Sequence, residues 1–300
     1  MSRTIKADEP LGSEVRRIAS LYLKRTKSEL EEQPEGPHEA IHTARKQFKR
    51  IRSLYRLVAA ADKAFQKTEN ERIGALGRSL AASRDATSLV ETARRLAGAT
   101  ATAEQHIALE RIHQRLVARR DAIAATAAID DLIQRAITTC GEAEQALDGF
   151  RLADGQKRAA KILGQGWHRT GKKAALALQQ ARESGAAENF HDLRKRTQDR
   201  WVHCRFLAEA WPAALLSARA QAGRLVKLLG ENQDIALMTA FADTHPNEIG
   251  RPEDLMHLIA VMAAEQTRLR TEALPQAAML FPEDARQDAE RIALLWRHAA

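Results

Sequence analysis

Hydrophobic positions recur along most of the chain at the three- and four-residue spacing of amphipathic α-helices. In the segment from residue 40 to residue 61, one side of a helical wheel carries Ala44, Phe48, Ile51, Tyr55 and Val58. Helix-forming Ala, Leu, Arg, Glu and Gln fill most segments, and the sequence lacks the β-branched and aromatic runs that are typical of strands. The pattern therefore predicts an all-α fold.

Four breaks rich in Gly, Pro or small polar residues interrupt this helical pattern. They cover residues 33–37, 98–103, 148–155 and 245–252. The third break lies at the middle of the 300-residue chain and predicts a boundary between two halves, 1–150 and 151–300. Because domains typically contain about 100–150 residues, we expect two helical bundles of about four to six helices each.

The side of residues 40–61 that lies opposite the hydrophobic positions is basic, and the segment contains no acid. The basic residues of this segment, with its histidine, are His42, Arg45, Lys46, Lys49, Arg50, Arg52 and Arg56. Like charges four residues apart destabilise a helix by about 0.2–0.5 kcal/mol, so this strip needs negative charges from elsewhere. On an ordinary solvated face, the carboxylates of partner helices would supply these charges. At a binding site, an external anion would supply them.

The same arrangement occurs a second time in the chain. His42 and Asp85 are 43 residues apart, His191 and Asp234 are also 43 apart, and one offset of 149 (191 − 42 and 234 − 85) relates the pairs. The histidines open the similar sequences HTARK and HDLRK. Matching spacing at two separate points indicates an internal repeat.

A further basic helical segment precedes each histidine motif. In the first half this segment includes Arg17 and Lys24. In the second half, residues 155–182 contain seven Lys and Arg residues and no acid. The candidate binding residues of this second segment are Lys161, His168, Arg169, Lys172 and Lys173.

The duplicated His-x-x-Arg-Lys motif, with a basic amphipathic helix and a Leu-rich segment ending in Arg-Asp or Gln-Asp, resembles the CHAD family of polyphosphate-binding helical domains. The resemblance extends from about Leu11 to Leu295. It implies two bundles related by a pseudo-twofold axis, a basic surface for inorganic polyphosphate, and an association with polyphosphate granules. The phosphate contacts that it implies are His42, Arg45, Lys46, Lys49, Arg50 and Arg52 in the first motif and His191, Arg194, Lys195 and Arg196 in the second.

The two copies differ in the distal part of the basic strip. Where the first half has Lys49, Arg50 and Arg52, the second half has a Gln, an Asp and a Trp at positions 198, 199 and 201. We therefore expect phosphate binding to be weaker at this part of the second strip.

The repeated aspartates are candidates for a structural role. We expect Asp85 and Asp234 each to cap a helix or to pair with an arginine such as Arg45 or Arg194. Phosphoryl transfer requires clustered carboxylates for magnesium or a glycine-rich phosphate loop, and the sequence contains neither. We therefore expect a binding protein that has no enzymatic activity and no cofactor.

Metal binding and membrane insertion are not expected. His38 and His42 lie one helical turn apart, but no further ligands complete the three or four that zinc requires. Cys140 and Cys204 are far apart and fit reduced thiols.

Because no apolar stretch approaches roughly 20 residues and no signal-peptide core is present, we expect a cytoplasmic protein. A location on polyphosphate granules follows from the resemblance alone.

The composition favours anionic partners. The net charge is +8 and the isoelectric point is near 9.7. Aromatic residues make up only 4% of the chain, and none is expected on the basic faces, where binding of single-stranded nucleic acid requires stacking. We therefore expect inorganic polyphosphate as the partner, with nucleic acid or another polyanion as the first alternative and an acidic protein on a helical scaffold as the second. The sequence does not indicate the oligomeric state.

Overall fold

The computed structural model describes residues 3–80, 82–126, 129–152, 155–282 and 284–299. Within these ranges the chain forms helices and no strand, which confirms the all-α prediction. The helices are α1 (Leu11–Glu32), α2 (Pro37–Leu57), α3 (Lys63–Ser79), α4 (Ala82–Ala97), α5 (Ala103–Thr126), α6 (Ile129–Ala146), α7 (Gln156–Ser184), α8 (Ala187–Phe206), α9 (Pro212–Thr244), α10 (Pro246–Ile249), α11 (Pro252–Leu280) and α12 (Ala285–Arg297).

Proline and left-handed residues mark several of the helix boundaries. Pro37, Pro212 and Pro252 stand in the first turn of α2, α9 and α11, where the missing N–H group costs nothing. Helices α1 and α7 end at Gln33 and Gly185, whose φ angles of 45° and 64° lie in the left-handed region. The predicted breaks fall at helix ends as expected, although the last one contains the short helix α10 and residues 153–154 of the third lie outside the described residues.

Three hydrophobic clusters hold the helices together. The first joins α1, α2, α3 and α6 to the start of α7, the end of α8 and α12. The second joins α4 and α5 to α9, α10 and α11, and the third joins α7, α8, α9 and α11. Helices of both halves therefore share two of the three clusters, and a division of the chain into separate units at residue 150 stays a prediction.

The order and packing of the helices repeat along the chain. Helix α1 packs against α2 and α6, and α7 packs against α8 and α12 in the same way. Helix α9 begins 149 residues after α3 (212 − 63), and α11 begins 149 residues after α5 (252 − 103). Across the halves, α2 packs against α8, α4 against α9 and α5 against α11. These contacts join helices in corresponding positions, and the pseudo-twofold axis itself stays a prediction.

Helix α2 is oriented as its hydrophobic pattern predicts. The predicted apolar side chains are each at most 2% exposed; Ala44, Phe48, Ile51 and Tyr55 lie in the helix and Val58 directly follows it. Lys46 and Lys49 on the opposite face are exposed. The core therefore fixes the helix rotation that presents the basic strip to the surface.

Candidate anion-binding groove

The basic faces of α2 and α8 border one groove. Two clefts of about 250 and 370 Å³ lie along it, and Lys49 and Arg194 line both of them. The first cleft is also lined by His42, Arg45, Lys46, Asp85, Ser88, Gln233, Asp234 and Leu237. The second cleft is also lined by Arg52, Arg56, His191, Lys195, Arg196, Gln198 and Asp199. The two histidine motifs, far apart in sequence, are thus brought to the same site.

Helical spacing explains how each motif contributes to the groove. Positions separated by three, four and seven residues share one face of a helix, which is the spacing of residues 42, 45, 46 and 49 and of residues 191, 194, 195 and 198. Together the two clefts are lined by eight Lys and Arg side chains and three Asp side chains. The lining therefore carries a net positive charge, which attracts anions.

The two repeated aspartates lie in the groove, although not as predicted in every respect. Asp85 stands in the first turn of α4, whereas Asp234 lies in the interior of α9. A capping role is therefore wrong for Asp234, because α9 continues through this position to Thr244. Both carboxylates share the first cleft with Arg45 and Arg194, the arginines with which the sequence predicts that they pair. The side chain of Arg45 also donates a hydrogen bond to the Gly77 carbonyl of α3.

One end of the groove contains a buried ion pair between the two halves. Arg56 donates hydrogen bonds to both carboxylate oxygens of Asp199, at distances between 2.6 and 3.0 Å. Arg196 donates a longer bond of 3.4 Å to the same carboxylate. Burial acts most strongly on the pKa of Asp199 and would raise it, but the neighbouring groups, with the charge and hydrogen bond of Arg56 foremost, together hold that pKa below its ordinary value. Asp199 therefore neutralises part of the basic lining at this end, and weaker phosphate binding by the second strip stays a prediction.

A buried histidine of α8 contacts the backbone of α2 beside this ion pair. The Nε2 atom of His203 lies 3.0 Å from the Ser53 carbonyl oxygen, and the histidine is completely buried. Burial lowers the pKa of His203 to about 4. The ring is therefore neutral near pH 7 and serves packing instead of anion binding. Sequence reasoning missed this residue, because no motif distinguishes it from other histidines.

His191 is half-buried at the edge of the groove. Its Nδ1 atom has no hydrogen-bond partner among the described residues. Burial and then the charge of Lys195 lower the pKa of His191, while a hydrogen bond with Gln233 opposes them. The side chain is therefore neutral near pH 7.

Two exposed lysines of the motifs make only weak internal pairs. The Nζ atom of Lys195 lies 2.9 Å from Asp192, and that of Lys46 lies 4.0 Å from Glu39. Each of these four side chains is between 43% and 53% exposed. Exposed pairs of this kind contribute about 0.2–1 kcal/mol, so an anionic ligand competes with them readily.

Several predicted binding residues lie outside the lining of the groove. Arg17 forms an ion pair with Glu14, and Lys24 lies 3.4 Å from Glu144. Arg169 donates a hydrogen bond to the Arg56 carbonyl behind the groove. The remaining residues that line neither cleft are Lys161, His168, Lys172 and Lys173 on α7, and Arg50 on α2.

Arg50 lies in a separate small cleft, beside Trp201 and two further arginines. The expectation that no aromatic side chain stands on the basic faces is therefore wrong for Trp201. The sequence contains a weak signal for this placement, because position 201 continues the seven-residue spacing of Arg194 on α8.

Groups of three or more His, Cys, Asp or Glu side chains that could hold a metal ion are absent from the described residues. Among the helices described, none is both long and apolar enough to cross a membrane. Cys140 and Cys204 are free and buried.

The profile of the CHAD domain matches residues 17–243. The matched segment contains both histidine motifs and every residue that lines the two clefts of the groove. Among curated proteins, no sequence matches this chain. Since the profile covers more than half of the 300 residues, the chain belongs to the CHAD domain family.

Proposed function

We propose that the groove between α2 and α8 binds inorganic polyphosphate without changing it chemically. The observation that carries the proposal is the placement of Lys49 and Arg194, one from each motif helix, in the lining of both adjoining clefts. A polyphosphate chain presents anionic oxygens along its whole length. Guanidinium forks and ammonium groups arranged along a groove are suited to that repeating charge.

A non-catalytic role fits the chemistry of the acidic groups in the groove. Asp199 is engaged by Arg56 and Arg196, so it is not placed to hold a divalent cation for phosphoryl transfer. The remaining carboxylates of the lining, Asp85 and Asp234, share their cleft with Arg45, Lys49 and Arg194. We infer that the protein retains polyphosphate in the cytoplasm and is recruited to polyphosphate granules by this affinity.

Competition binding tests the choice of ligand. Labelled long-chain polyphosphate is bound to the 300-residue chain at fixed salt and displaced with unlabelled polyphosphate, duplex DNA or tripolyphosphate. The salt concentration must be fixed because the affinity for either polyanion falls as salt rises. For nucleic acids, each neutralised phosphate adds about 0.7–0.9 to the slope of log affinity against log salt concentration. We expect polyphosphate to displace the label at a much lower phosphate concentration than DNA. Equal or stronger displacement by DNA would overturn the proposal in favour of nucleic acid.

Charge reversal tests the assigned surface. The double substitution Arg45→Glu with Lys49→Glu should weaken polyphosphate binding by at least about a hundredfold, because lost charge-assisted contacts typically cost 2–5 kcal/mol. A matched reversal at Lys172 and Lys173, which are exposed on α7 outside the groove, should change affinity by less than about threefold. Circular dichroism confirms that helix content is retained. Equal effects of the two reversals would remove the groove as the binding site.

A further inference from the structure

Five arginines gather on the side of α2 next to the groove. Arg50, Arg205 and Arg219 line one small cleft. Arg3 and Arg25 lie close enough to affect the pKa of Arg50. We refer to these five residues as the arginine cluster. They come from the N-terminal segment and from α1, α2, α8 and α9, so the tertiary fold alone brings them together.

Among the residues that the structure describes, none supplies the arginine cluster with a counter-charge. The charged groups that act on Arg50 are three arginines, Arg205, Arg3 and Arg25. Among the described residues, no carboxylate forms an ion pair with any of the five arginines. Burial lowers the pKa of Arg50, and Arg205, Arg3 and Arg25 act in the same direction. Arginine nevertheless stays protonated near neutral pH, so the repulsion within the cluster is not relieved by loss of a proton.

Uncharged groups hold these guanidinium groups in position. The Cζ atoms of Arg50 and Arg219 lie 5.8 and 5.7 Å from the centre of the Trp201 ring, within the range of cation–π attraction. Arg3 lies 5.6 Å from the centre of the Tyr22 ring. Aromatic rings therefore orient the guanidinium groups and leave their charges unmatched.

Tyr22 provides a second, independent sign of a missing ligand. The residue lines the same cleft and is completely buried, yet its hydroxyl has no hydrogen-bond partner among the described residues. An unsatisfied buried polar group costs about 1–3 kcal/mol. A donor without an acceptor beneath uncompensated arginines matches the needs of an anion with several oxygens.

The arginine cluster continues the basic strip of α8 beyond the groove. Gln198 lines the groove, Trp201 follows one turn later and Arg205 two turns later on the same face. At 1.5 Å per residue, the strip from Arg194 to Arg205 covers about 16 Å. On α2, Arg50 directly follows Lys49 of the groove.

The internal repeat shows what distinguishes this region from the opposite end of the groove. Arg205 corresponds to Arg56 and Arg50 corresponds to Asp199, since both pairs of positions differ by 149 (205 − 56 and 199 − 50). Arg56 and Asp199 form an ion pair, whereas their counterparts are two arginines. The position that carries the acidic Asp199 at one end therefore carries the basic Arg50 at the other.

We propose that the arginine cluster binds the continuation of a polyphosphate chain that leaves the groove beside α8. This inference rests on the proposed function and adds to it a preference for long chains and an unequal use of the two ends. A tripolyphosphate fills part of the groove, and only a longer chain reaches the cluster as well.

The test compares two ligands and three proteins. Affinities for tripolyphosphate and for polyphosphate of about 100 phosphates are measured by calorimetry or anisotropy at several salt concentrations. The variant is Arg50→Gln with Arg205→Gln, and the matched control is Arg291→Gln with Arg297→Gln, two exposed arginines of α12 outside both surfaces. Arg219→Gln at the rim of the cluster provides a milder variant if the double substitution destabilises the fold.

We expect the cluster variant to bind long polyphosphate at least about tenfold more weakly, with a salt dependence lower by about 1–2 in log–log slope for two lost contacts. Binding of tripolyphosphate should stay within about twofold of the wild type, and the control should match the wild type for both ligands. Unchanged affinity of the variant for long chains, or an equal loss for both ligands, would overturn this inference. Failure of the wild type to bind either ligand would instead refute the proposed function.

Discussion

The two ends of the contact between α2 and α8 carry residues related by one offset of 149 in the sequence and yet differ in charge. At one end, Arg56 is held by the buried carboxylate of Asp199. At the other end, the corresponding Arg205 has Arg50 as its neighbour. The change of one side chain from acid to base turns a structural ion pair into an unmatched cationic surface. Residues at the same offset therefore stand in similar places in the fold, and the individual side chains determine whether the fold itself neutralises them.

Backbone packing differs between the same two ends. Gly166 allows α7 to lie directly against the end of α2, because a Cβ atom there would stand 1.8 Å from the Leu57 carbonyl oxygen. The corresponding position on α1 is Arg17 (166 − 149), which cannot approach α8 as closely. The N-terminal segment takes this place instead, and Ile5 donates a hydrogen bond of 2.9 Å to the Phe206 carbonyl. That segment carries Arg3 into the arginine cluster.

The largest effect on stability is expected from adding a methyl group at Gly166, where α7 contacts α2. Gly166→Ala should lower the free energy of unfolding by about 3 kcal/mol or more, because the added methyl group overlaps the backbone of α2. Gly77→Ala on α3 is the control, since its added methyl group meets no atom within 4 Å and should stabilise the helix by about 0.5–1 kcal/mol. Urea unfolding measures both. If the Gly166→Ala variant is as stable as the wild type, α7 does not lie as close to the end of α2 as described, and the two ends do not differ in this contact.

A second comparison concerns His203, whose counterpart in the first half is Leu54 (203 − 149). The pKa of His203 is about 4 in the folded protein and about 6.5 when unfolded, so the unfolded chain binds more protons between these values. This contribution to stability is complete above pH 6.5 and is lost as pH falls toward 4, with a size on the order of 3 kcal/mol.

The substitution His203→Leu copies the residue of the other half and should remove this pH dependence. Urea unfolding at pH 7 and pH 4.5 measures the difference for wild type and variant. The wild type should lose more stability than the variant between the two pH values. Identical losses would show that His203 is not buried in its neutral form.

Opposite responses are expected from the two residues that distinguish the ends. Asp199→Asn should reduce stability by about 2 kcal/mol, since Arg56 and Arg196 lose their partner, and should strengthen long-chain polyphosphate binding several-fold. Arg50→Gln should weaken that binding several-fold without loss of stability, because it relieves repulsion. Chemical unfolding and anisotropy titration measure the two quantities. If Asp199→Asn and Arg50→Gln shift the affinity for polyphosphate in the same direction, the proposed difference in charge between the two ends does not govern binding.

The smallest effect concerns the paired histidines of the two motifs. Burial keeps the pKa of His191 low without a ligand, and a bound polyanion raises it, so binding takes up a proton. Affinity for polyphosphate should therefore increase as pH falls from 8 to 6, by less than about tenfold through His191. The double variant His42→Gln with His191→Gln should show a flatter profile. If its profile matches that of the wild type, the histidines do not titrate on binding.

Much of this architecture could be predicted because helical periodicity fixes which face of a helix is buried. The apolar positions of α2 are all buried, and the two motifs predicted from their spacing do meet in one groove. Periodicity does not reveal which other helix faces a given side chain. The pairing of Arg56 with Asp199 spans 143 residues and depends on how α2 crosses α8. Arg50 lies in a separate cleft beside Trp201 for the same reason.

Acids on neighbouring helices also decide which basic residues are available. Lys24 belongs to a basic segment in the sequence, but Glu144 of α6 lies beside it in the fold. Arg17 is matched by Glu14 within its own helix, a contact that the spacing of three residues does allow one to predict. Local charge patterns therefore identify candidate strips, and only tertiary packing selects the residues among them that line the groove.

The most direct test of the central claim is a crystal structure of the protein with bound polyphosphate. We predict continuous phosphate density along the groove, with phosphate oxygens at hydrogen-bond distance, about 2.7–2.9 Å, from Lys49 and Arg194. Density confined to other basic surfaces, such as the exposed lysines Lys172 and Lys173 of α7, with none between α2 and α8, would contradict the account.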